Sequence, residues 1–303
     1  KHYGQKYLSP IAYRPFDSRW TYYTGNSRGF LCYPRADVMR HLQGRSNLGA
    51  CYTRTIEGDR RFADFLVVDV PITHHTLSIK EVNALAPLYL YPDELDLDQS
   101  IRVNFDPKLY AKIRKAAGLT GSIGVPDPAM VESGAFRTAT GDARPDELKV
   151  FDYIYGVLHC LVYRKTYAEF LKIDFPRVPF PSSPESFRII SEKGEALRRL
   201  HLMEDAAIGL TPYRFDGQAP EGQDSVVDKP RYENGRIYIN GKGDEGQYFD
   251  GIPPVAWDFP IGGYQPAQKW LKDRKGRILS WDEIRHYQKI VKILSETNRL
   301  MRQ

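Results

Sequence analysis

Apolar residues change their spacing along this chain, and that change limits the folds it can adopt. Up to about residue 91 they lie in short runs, such as residues 63–70 (ADFLVVDV), closed by Pro71, and residues 88–91 (LYLY). Short β-branched and aromatic runs between turn residues predict strands. Further along, apolar residues recur at helical spacing, as in Leu148, Phe151, Tyr155 and Leu158. The sequence therefore predicts a mixed α+β (α/β) fold with a mixed sheet.

Residues 118–145 separate these two regions and consist largely of Gly, Ser, Thr, Pro and Ala. Such a composition predicts a loop or linker. We therefore expect two lobes, residues 1–145 and residues 146–303. In the second lobe, Asn234-Gly235 predicts a β-hairpin with a type I′ turn. Ser280 and Glu283 predict a capping box at the start of a basic C-terminal helix.

The chain carries a formal net charge of +5, and the basic excess is concentrated near its end. Residues 264–303 contain ten basic and four acidic residues. This distribution favours a polyanionic partner, although a solvated helix face would show the same pattern. No apolar run reaches the roughly 18 residues of a membrane helix, so we expect no membrane partner. The chain begins with Lys1 and shows no signal-peptide pattern, so we read it as part of a longer polypeptide.

The three cysteines, Cys32, Cys51 and Cys160, are far apart in the sequence and form no Cys-x-x-Cys pair. This spacing argues against a structural zinc site and against a disulfide framework. Free thiols are typical of proteins in a reducing compartment, so the sequence predicts a cytoplasmic protein.

Catalytic motifs of the common nucleotide- and cofactor-dependent enzymes are missing from the sequence. The glycines of residues 121–124 (GSIG) have the wrong spacing for a cofactor-binding turn. Pro253-Pro254 lacks the amide and the aromatic residue of an adenine-N6 methyltransferase loop, and no Walker A motif is present. We therefore predict neither catalytic residues nor a cofactor in this chain.

A metal-dependent nuclease remains an alternative at this point. Pro126-Asp127, followed by Glu147-Leu148-Lys149, matches the loose spacing of a PD…ExK nuclease, in which carboxylates hold Mg²⁺. That chemistry needs the two carboxylates on adjacent strands. Asp127 instead lies between prolines, and Glu147 lies at the start of a predicted helix. The spacing alone is therefore weak support for a nuclease.

Two groups of side chains are candidates for DNA contacts. The first surrounds the buried run of residues 63–70, and its members are suited to base edges and phosphates. It consists of Tyr52, Arg54, Arg60, Arg61, His74 and His75. Because adjacent histidines usually point to opposite sides and no third ligand is suitably spaced, His74 and His75 do not predict a metal site. The second group is suited to phosphates and consists of Lys269, Lys272, Arg274, Lys275 and Arg277.

Four segments together resemble one protein family. They are residues 13–20 (YRPFDSRW), 151–159 (FDYIYGVLH), 168–181 (AEFLKIDFPRVPFP) and 262–291, which contains GGYQPAQKWLKDRKGR and LSWDEIRHYQKIV. In this order they resemble the C-terminal specificity domain, or target-recognition domain, of Type ISP restriction-modification enzymes and related adenine-N6 DNA methyltransferases. The likeness covers nearly the whole chain.

This resemblance implies a role in reading double-stranded DNA beside an upstream methyltransferase domain of the same polypeptide. The methyltransferase would bind S-adenosylmethionine and receive the flipped target adenine. The likeness transfers no catalytic residue, because the catalytic motifs of the family belong to other domains. A module that only docks those domains, without touching DNA, remains a further alternative.

Overall fold

The structure is a computed structural model that describes residues 4–25, 34–120, 126–222, 224–242 and 245–303. Cys32 and the glycines of residues 121–124 lie outside the described residues. The chain forms two compact units, unit 1 (Lys1–Arg198) and unit 2 (Arg199–Gln303). The boundary between the units lies after Arg198, within a helix, whereas the predicted boundary between the lobes lies after residue 145.

Unit 1 combines small antiparallel sheets with helices. Its strands are β1 (Leu8–Arg14), β2 (Asp17–Tyr22), β3 (Gly49–Thr53), β4 (Phe65–Val68), β5 (Asn83–Pro87), β6 (Tyr89–Leu90) and β7 (Arg102–Val103). Its helices are α1 (Ala36–Met39), α2 (Pro107–Ala117), α3 (Pro128–Glu132), α4 (Ala135–Thr138), α5 (Asp146–His159), α6 (Leu161–Thr166), α7 (Phe170–Ile173) and α8 (Pro184–His201), the last of which continues to His201.

The predicted strands around residues 63–70 and 88–91 are present as β4 and β6. Strand β3 lies between β4 and β5, while β1 pairs with β2 and β6 pairs with β7. All pairs between these strands are antiparallel, in place of the mixed sheet we expected. The only parallel bridge among the described residues joins Ala12 to Ile72. The predicted mixed α+β class is confirmed.

Helix α5 belongs to the same unit as the sheet because it packs directly against β4. The hydroxyl of Tyr155 accepts a hydrogen bond of 3.2 Å from the Val67 amide. The rings of Tyr155 and Phe65 are 5.6 Å apart. These long-range contacts place residues 146–198 in the same unit as the strands. The Gly- and Pro-rich segment 118–145 therefore does not separate the two units.

A buried ionic cluster joins α5 to α8. Asp152 and Arg198 are fully buried, and Arg198 Nε lies 2.6 Å from Asp152 Oδ1. Arg144 Nη1 lies 2.7 Å from Asp152 Oδ2. Burial raises the pKa of the Asp152 carboxyl, and the two guanidinium groups oppose that shift. Each charge in the cluster therefore depends on its partners to offset the loss of hydration.

The backbones of α5 and α8 approach closely beside this cluster. A Cβ atom on Gly194 would lie 1.7 Å from the Asp152 carbonyl oxygen, and one on Gly156 would lie 2.5 Å from the Ile190 carbonyl oxygen. Only glycine leaves room for such an approach. The short distance between the helices is what brings Arg198 within reach of Asp152.

Unit 2 contains a four-stranded antiparallel sheet in the order β8-β11-β10-β9, together with helices. Its elements are α9 (Asp205–Ile208), β8 (Phe215–Asp216), β9 (Arg231–Glu233), β10 (Arg236–Tyr238), β11 (Tyr248–Phe249), α10 (Pro254–Asp258), α11 (Pro266–Lys272) and α12 (Trp281–Met301).

Two local predictions in unit 2 are confirmed. Asn234 and Gly235 both have positive φ, 49° and 79°, as a type I′ turn between β9 and β10 requires. Ser280 and Glu283 form the predicted capping box of α12. The core of the unit is aromatic, since Tyr287 lies 4.7 Å from Phe249 and 5.3 Å from Trp270 between ring centroids. Among the described residues, no helix is both long and apolar enough to cross a membrane.

We expect Asp152→Ala to lower the free energy of unfolding by about 3–5 kcal/mol, because it leaves the buried Arg198 guanidinium without this carboxylate and Arg144 with Glu195 alone. Urea unfolding followed by circular dichroism measures this loss. Glu185→Ala is the matched control, since it breaks an exposed ion pair with Arg188 on α8 and should change stability little. Equal losses in both variants would contradict the structural role of the buried cluster.

Candidate nucleic-acid interface

Three segments of unit 1 are joined by a chain of polar contacts. They are the β1–β2 hairpin, residues 54–64 and residues 71–83, which we call the three-segment surface. The hairpin and residues 71–83 meet at Ala12. Its amide donates a 2.8 Å hydrogen bond to the Pro71 carbonyl, and its carbonyl accepts one of 2.7 Å from the Thr76 hydroxyl. The loop that follows β4 is thereby fixed against β1.

The two predicted histidines lie in this loop and contact each other. His74 Nδ1 lies 3.3 Å from His75 Nε2, and the ring planes are nearly perpendicular. Our expectation that they point to opposite sides is wrong, because residues 73–76 form a turn and not a strand. His75 also contacts the Ser78 carbonyl at 3.0 Å, and Arg14 donates a 2.9 Å hydrogen bond to the His75 carbonyl.

His74 and His75 have no third possible metal ligand grouped with them among the described residues. No group of three or more His, Cys, Asp or Glu side chains that could hold a metal ion is found among those residues. His74 is exposed and His75 is half-buried. Both imidazoles therefore remain candidates for contact with a partner of the protein.

Arg60 joins residues 54–64 to residues 71–83. Its guanidinium donates hydrogen bonds of 2.6 Å and 3.0 Å to the Asp64 carboxylate. It donates another of 2.8 Å to Glu81, whose carboxylate also accepts the Glu57 amide at 2.9 Å and the Ser78 hydroxyl. Because its donors are committed to two buried carboxylates, we remove Arg60 from the proposed base-reading residues.

Glu81 is buried, and burial alone would raise the pKa of its carboxyl. Hydrogen bonds from Ser78, the Glu57 amide and Arg60 instead lower that pKa below its usual value. The ionised form of Glu81 is therefore the one that connects the two loops.

Arg61 differs from its neighbour Arg60. Its side chain is exposed and makes no hydrogen bond or ion pair with another described residue. The exposed side chain of Lys80, on the adjoining loop, is likewise without such a partner in the described part of the chain. Both cations are available to an external anion or base edge.

Tyr52, on β3, and Arg54, the first residue of segment 54–64, contact residues 174–175. The Tyr52 ring lies 5.5 Å from the ring of Phe175, and burial raises the pKa of its hydroxyl. Arg54 Nε lies 3.3 Å from Asp174 Oδ1 in an exposed ion pair. Packing against Phe175 accounts for Tyr52, which we therefore remove from the proposed DNA contacts. Arg54 is 67% exposed and stays a candidate.

An apolar groove is lined by residues of α6, of α7 and of the segment that follows α7. It has a volume of about 510 Å³. We call it the apolar groove, and its lining includes Tyr163, Tyr167, Phe170, Ile173, Phe175 and Val178. The Phe170 side chain is 70% exposed, which is unusual for a residue of this size and apolar character. Four of these lining residues lie in the segment 168–181 that we quoted for the family resemblance.

Hairpin β1–β2 holds functional candidates that were not predicted from the sequence. The guanidinium carbons of Arg14 and Arg19 lie 4.1 Å and 3.7 Å from the centre of the Tyr13 ring. Trp20 is exposed on β2. The signal was available in residues 13–20, where two arginines and three aromatic residues accompany a single acid.

The basic residues of unit 2 separate into buried and exposed members. Arg274 is buried, with its guanidinium carbon 3.5 Å from the Trp270 ring centre and its Nε 3.3 Å from Glu283 Oε1. Lys269 is ion-paired with Asp273. Because these contacts are structural, we remove both residues from the proposed phosphate contacts.

Three of the predicted tail cations stay accessible. Lys272 is exposed, and the one side-chain hydrogen bond that it makes with a described residue is to the Gln268 amide oxygen, at 3.1 Å. Lys275 is exposed and has no side-chain partner among the described residues. Arg277 is 56% exposed beside Glu283. They lie in and before the turn that joins α11 to α12, and together they form the basic turn of unit 2.

The two carboxylates of the nuclease alternative have other partners. Asp127 is the N-cap of α3 and accepts hydrogen bonds from the Ala129 and Met130 amides. Glu147 is buried within α5, where it accepts a 2.9 Å hydrogen bond from the Tyr89 hydroxyl. Neither residue lies on a strand, so this pair lacks the placement that a PD…ExK site requires.

Comparison with known proteins identifies one family. The model described as "Type ISP C-terminal specificity domain" matches residues 1–303. No curated protein sequence matches the chain.

Solved structures with a similar fold belong to much longer chains. A chain of a cryo-EM DrdV–DNA complex is similar, with a TM-score of 0.72 and 18% identity over 100% of this chain and 29% of that one. The ATP-dependent Type ISP restriction-modification enzyme LlaBIII bound to DNA is similar with a TM-score of 0.67 and 18% sequence identity. The match covers 100% of this chain and 18% of that one. A nuclease-deletion mutant of the Type ISP enzyme LlaGI with a DNA substrate mimic is similar with a TM-score of 0.63 and 16% sequence identity. The match covers 100% of this chain and 25% of that one. This chain thus spans less than a third of each.

We expect Glu81→Gln to weaken the dependence of stability on acid pH. Above about pH 4.5, the usual pKa of this carboxyl, wild-type Glu81 contributes its full stabilisation. That contribution is lost as the pH falls through the lower pKa of the folded state. Unfolding free energies measured in urea from neutral pH downward should therefore fall less steeply in the variant.

Glu57→Gln is the control for this change, because Glu57 is an exposed side chain on the connected loop. Its pH profile should follow that of the wild-type protein. Parallel profiles for wild type and Glu81→Gln would show that Glu81 does not contribute as an anion.

Proposed function

The chain belongs to the family of Type ISP C-terminal specificity domains, and from this premise we propose that it recognises a specific sequence in double-stranded DNA. The family match over residues 1–303 is the observation that carries the proposal. The similar structures are complexes with DNA or with a DNA mimic, which supports the same partner here. We propose further that this chain contains no catalytic site of its own.

Base reading is assigned to the three-segment surface. Arg61, His74 and His75 have polar groups suited to base edges, and arginine matches the O6 and N7 atoms of guanine. Arg60, through Asp64 and Glu81, holds the two loops that carry these residues. A reader requires such support because a small displacement would lose the hydrogen-bond geometry by which bases are distinguished.

Phosphate contact is assigned to the basic turn of unit 2. Lys272, Lys275 and Arg277 are exposed, and each phosphate neutralised by such a cation releases counterions from the duplex. Contacts of this kind fix the position of a protein on DNA without reading its sequence.

The remaining activities of a restriction-modification enzyme are assigned to other parts of a longer polypeptide. We propose an upstream adenine-N6 methyltransferase domain that binds S-adenosylmethionine and acts on a flipped adenine. The apolar groove of unit 1 supports docking of such a domain, because exposed apolar surface of this kind is typical of protein interfaces. The free thiols of Cys51 and Cys160 agree with action in the reducing cytoplasm.

Arg61→Ala should reduce the preference for the recognised sequence, while Lys275→Ala with Arg277→Ala should weaken binding to every duplex alike. Loss of a bidentate base contact costs about 1–3 kcal/mol of discrimination. Loss of phosphate contacts should make the plot of log K against log salt shallower by about 0.9 for each phosphate. Fluorescence anisotropy with a site-containing and a scrambled duplex, over a range of salt concentrations, measures both effects.

Arg299→Ala is the matched control for the basic turn. Arg299 and Arg277 are each 56% exposed and each paired with a glutamate, yet Arg299 lies in the last turn of α12. Its loss should leave the salt slope unchanged. If Lys275→Ala with Arg277→Ala kept the same salt slope as Arg299→Ala and the wild type, the basic turn would be excluded as a phosphate contact. An unchanged preference in Arg61→Ala would exclude Arg61 as a base reader.

A further inference from the structure

An exposed apolar face lies on the β1–β2 hairpin. Trp20 is 74% exposed and stands opposite Pro10 in the register of the two strands. Leu8 follows the same alternation on β1 and is 52% exposed. Opposed residues of an antiparallel pair lie on the same side of a sheet. The hairpin therefore presents three neighbouring apolar side chains to water, an arrangement that is typical of a surface with a partner.

The charge of this hairpin is positive. Among residues 4–25, Asp17 is the only acidic residue, and it is buried. Arg19 lies next to Trp20 in the sequence. Its side chain is 41% exposed, and its Nη2 lies 3.4 Å from Oδ2 of the buried Asp17. Because Arg19 and Trp20 are successive residues of β2, the cation and the apolar side chains lie on opposite faces of the two-stranded ribbon. A ribbon with an apolar face, a partly exposed cation on its other face and no exposed acid is complementary to a polyanion that also offers stacking surfaces.

Contacts within unit 1 hold Arg19 and strand β1 of this hairpin. The Tyr13 ring lies 3.7 Å from the guanidinium carbon of Arg19 and so restricts its side chain. Strand β1 is fixed to residues 71–76 through Ala12. Binding through groups already held in place loses less conformational entropy than binding through free side chains.

The outer edge of β2 is open. No described strand other than β1 pairs with β2, and Ser18, Arg19 and Trp20 are exposed in succession. A two-stranded ribbon of this kind fits the major groove of B-DNA, which is about 12 Å wide. Aromatic side chains can also enter between base steps or stack on bases.

We propose that the β1–β2 hairpin is a DNA-contacting ribbon in its own right, in which Arg19 binds a phosphate and Trp20 packs on a base or sugar. This inference rests on the proposed DNA-binding function and adds a contact that is independent of Arg61, His74 and His75. Because its two groups are a cation and an aromatic ring, the contact strengthens binding to duplexes of any sequence. The ribbon reaches the base-reading loop through Ala12, so both would act on the same stretch of duplex.

The test uses the full chain and fluorescein-labelled duplexes of two unrelated sequences. Trp20→Ala should weaken binding to both roughly tenfold, as is typical for the loss of one aromatic stacking contact. Arg19→Ala should make the salt slope shallower by about 0.9, the value for one phosphate. Trp20→Phe keeps an aromatic ring and should restore most of the affinity. Circular dichroism and thermal unfolding show whether each variant keeps the wild-type fold.

Phe170→Ala is the matched control, since Phe170 is a similarly exposed aromatic residue in the apolar groove. Its DNA affinity should equal that of the wild type. DNA affinities of Trp20→Ala and Arg19→Ala that equal the wild-type value would overturn the inference.

Two further results separate the inference from the proposal on which it rests. If Trp20→Ala instead lost affinity only for the methyltransferase domain supplied separately, the hairpin would be a protein contact and the inference would be overturned. If the wild-type chain bound no duplex even at low salt, the proposed function itself would fail.

Discussion

The carboxylate of Asp152, held between Arg144 and Arg198, is the interaction on which unit 1 depends. It joins α5 to α8 in a place where the helices are close enough to exclude any side chain at Gly194. Three buried charges are costly to desolvate. Their mutual hydrogen bonds offset that cost, together with those that Arg144 makes to Gly141 and Ser191. Because a shift of either helix would separate these charges, the cluster favours one particular packing of α5 against α8.

The position of α5 determines the position of the three-segment surface. Through Tyr155, α5 contacts β4 at Val67. The chain then leaves β4 into residues 71–83, which bind β1 through Ala12 and bind residues 54–64 through Glu81. The exposed residues proposed to contact DNA thus lie on loops supported by a buried core, an arrangement common in binding proteins.

Sequence reasoning succeeded where the signal is local. The Asn234-Gly235 turn and the Ser280–Glu283 capping box depend on residues at most three apart, so their patterns could be read directly. The linker prediction for residues 118–145 was less accurate, because that segment contains α3 and α4. Asp127 followed by Pro128 was a visible helix start that its loop-like composition obscured.

Long-range partners could not be predicted from the chain alone. Arg60 and Arg61 are adjacent and chemically identical, yet only Arg60 meets Glu81, which lies on another loop. Arg274 and Lys275 differ in the same way, since the first is buried on Trp270 and the second is exposed. The sequence identified regions rich in suitable cations, and tertiary contacts decided which members stay accessible.

Selection from a pool of randomised duplexes is the direct test of sequence recognition by this chain. The chain is mixed with the pool at moderate salt, bound duplexes are recovered, and the enriched sequences are determined over several rounds. Sequence-specific recognition predicts convergence on one motif, because base-edge contacts discriminate between sequences while phosphate contacts do not. Recovery of bound duplexes without any enriched motif would contradict sequence recognition by this chain.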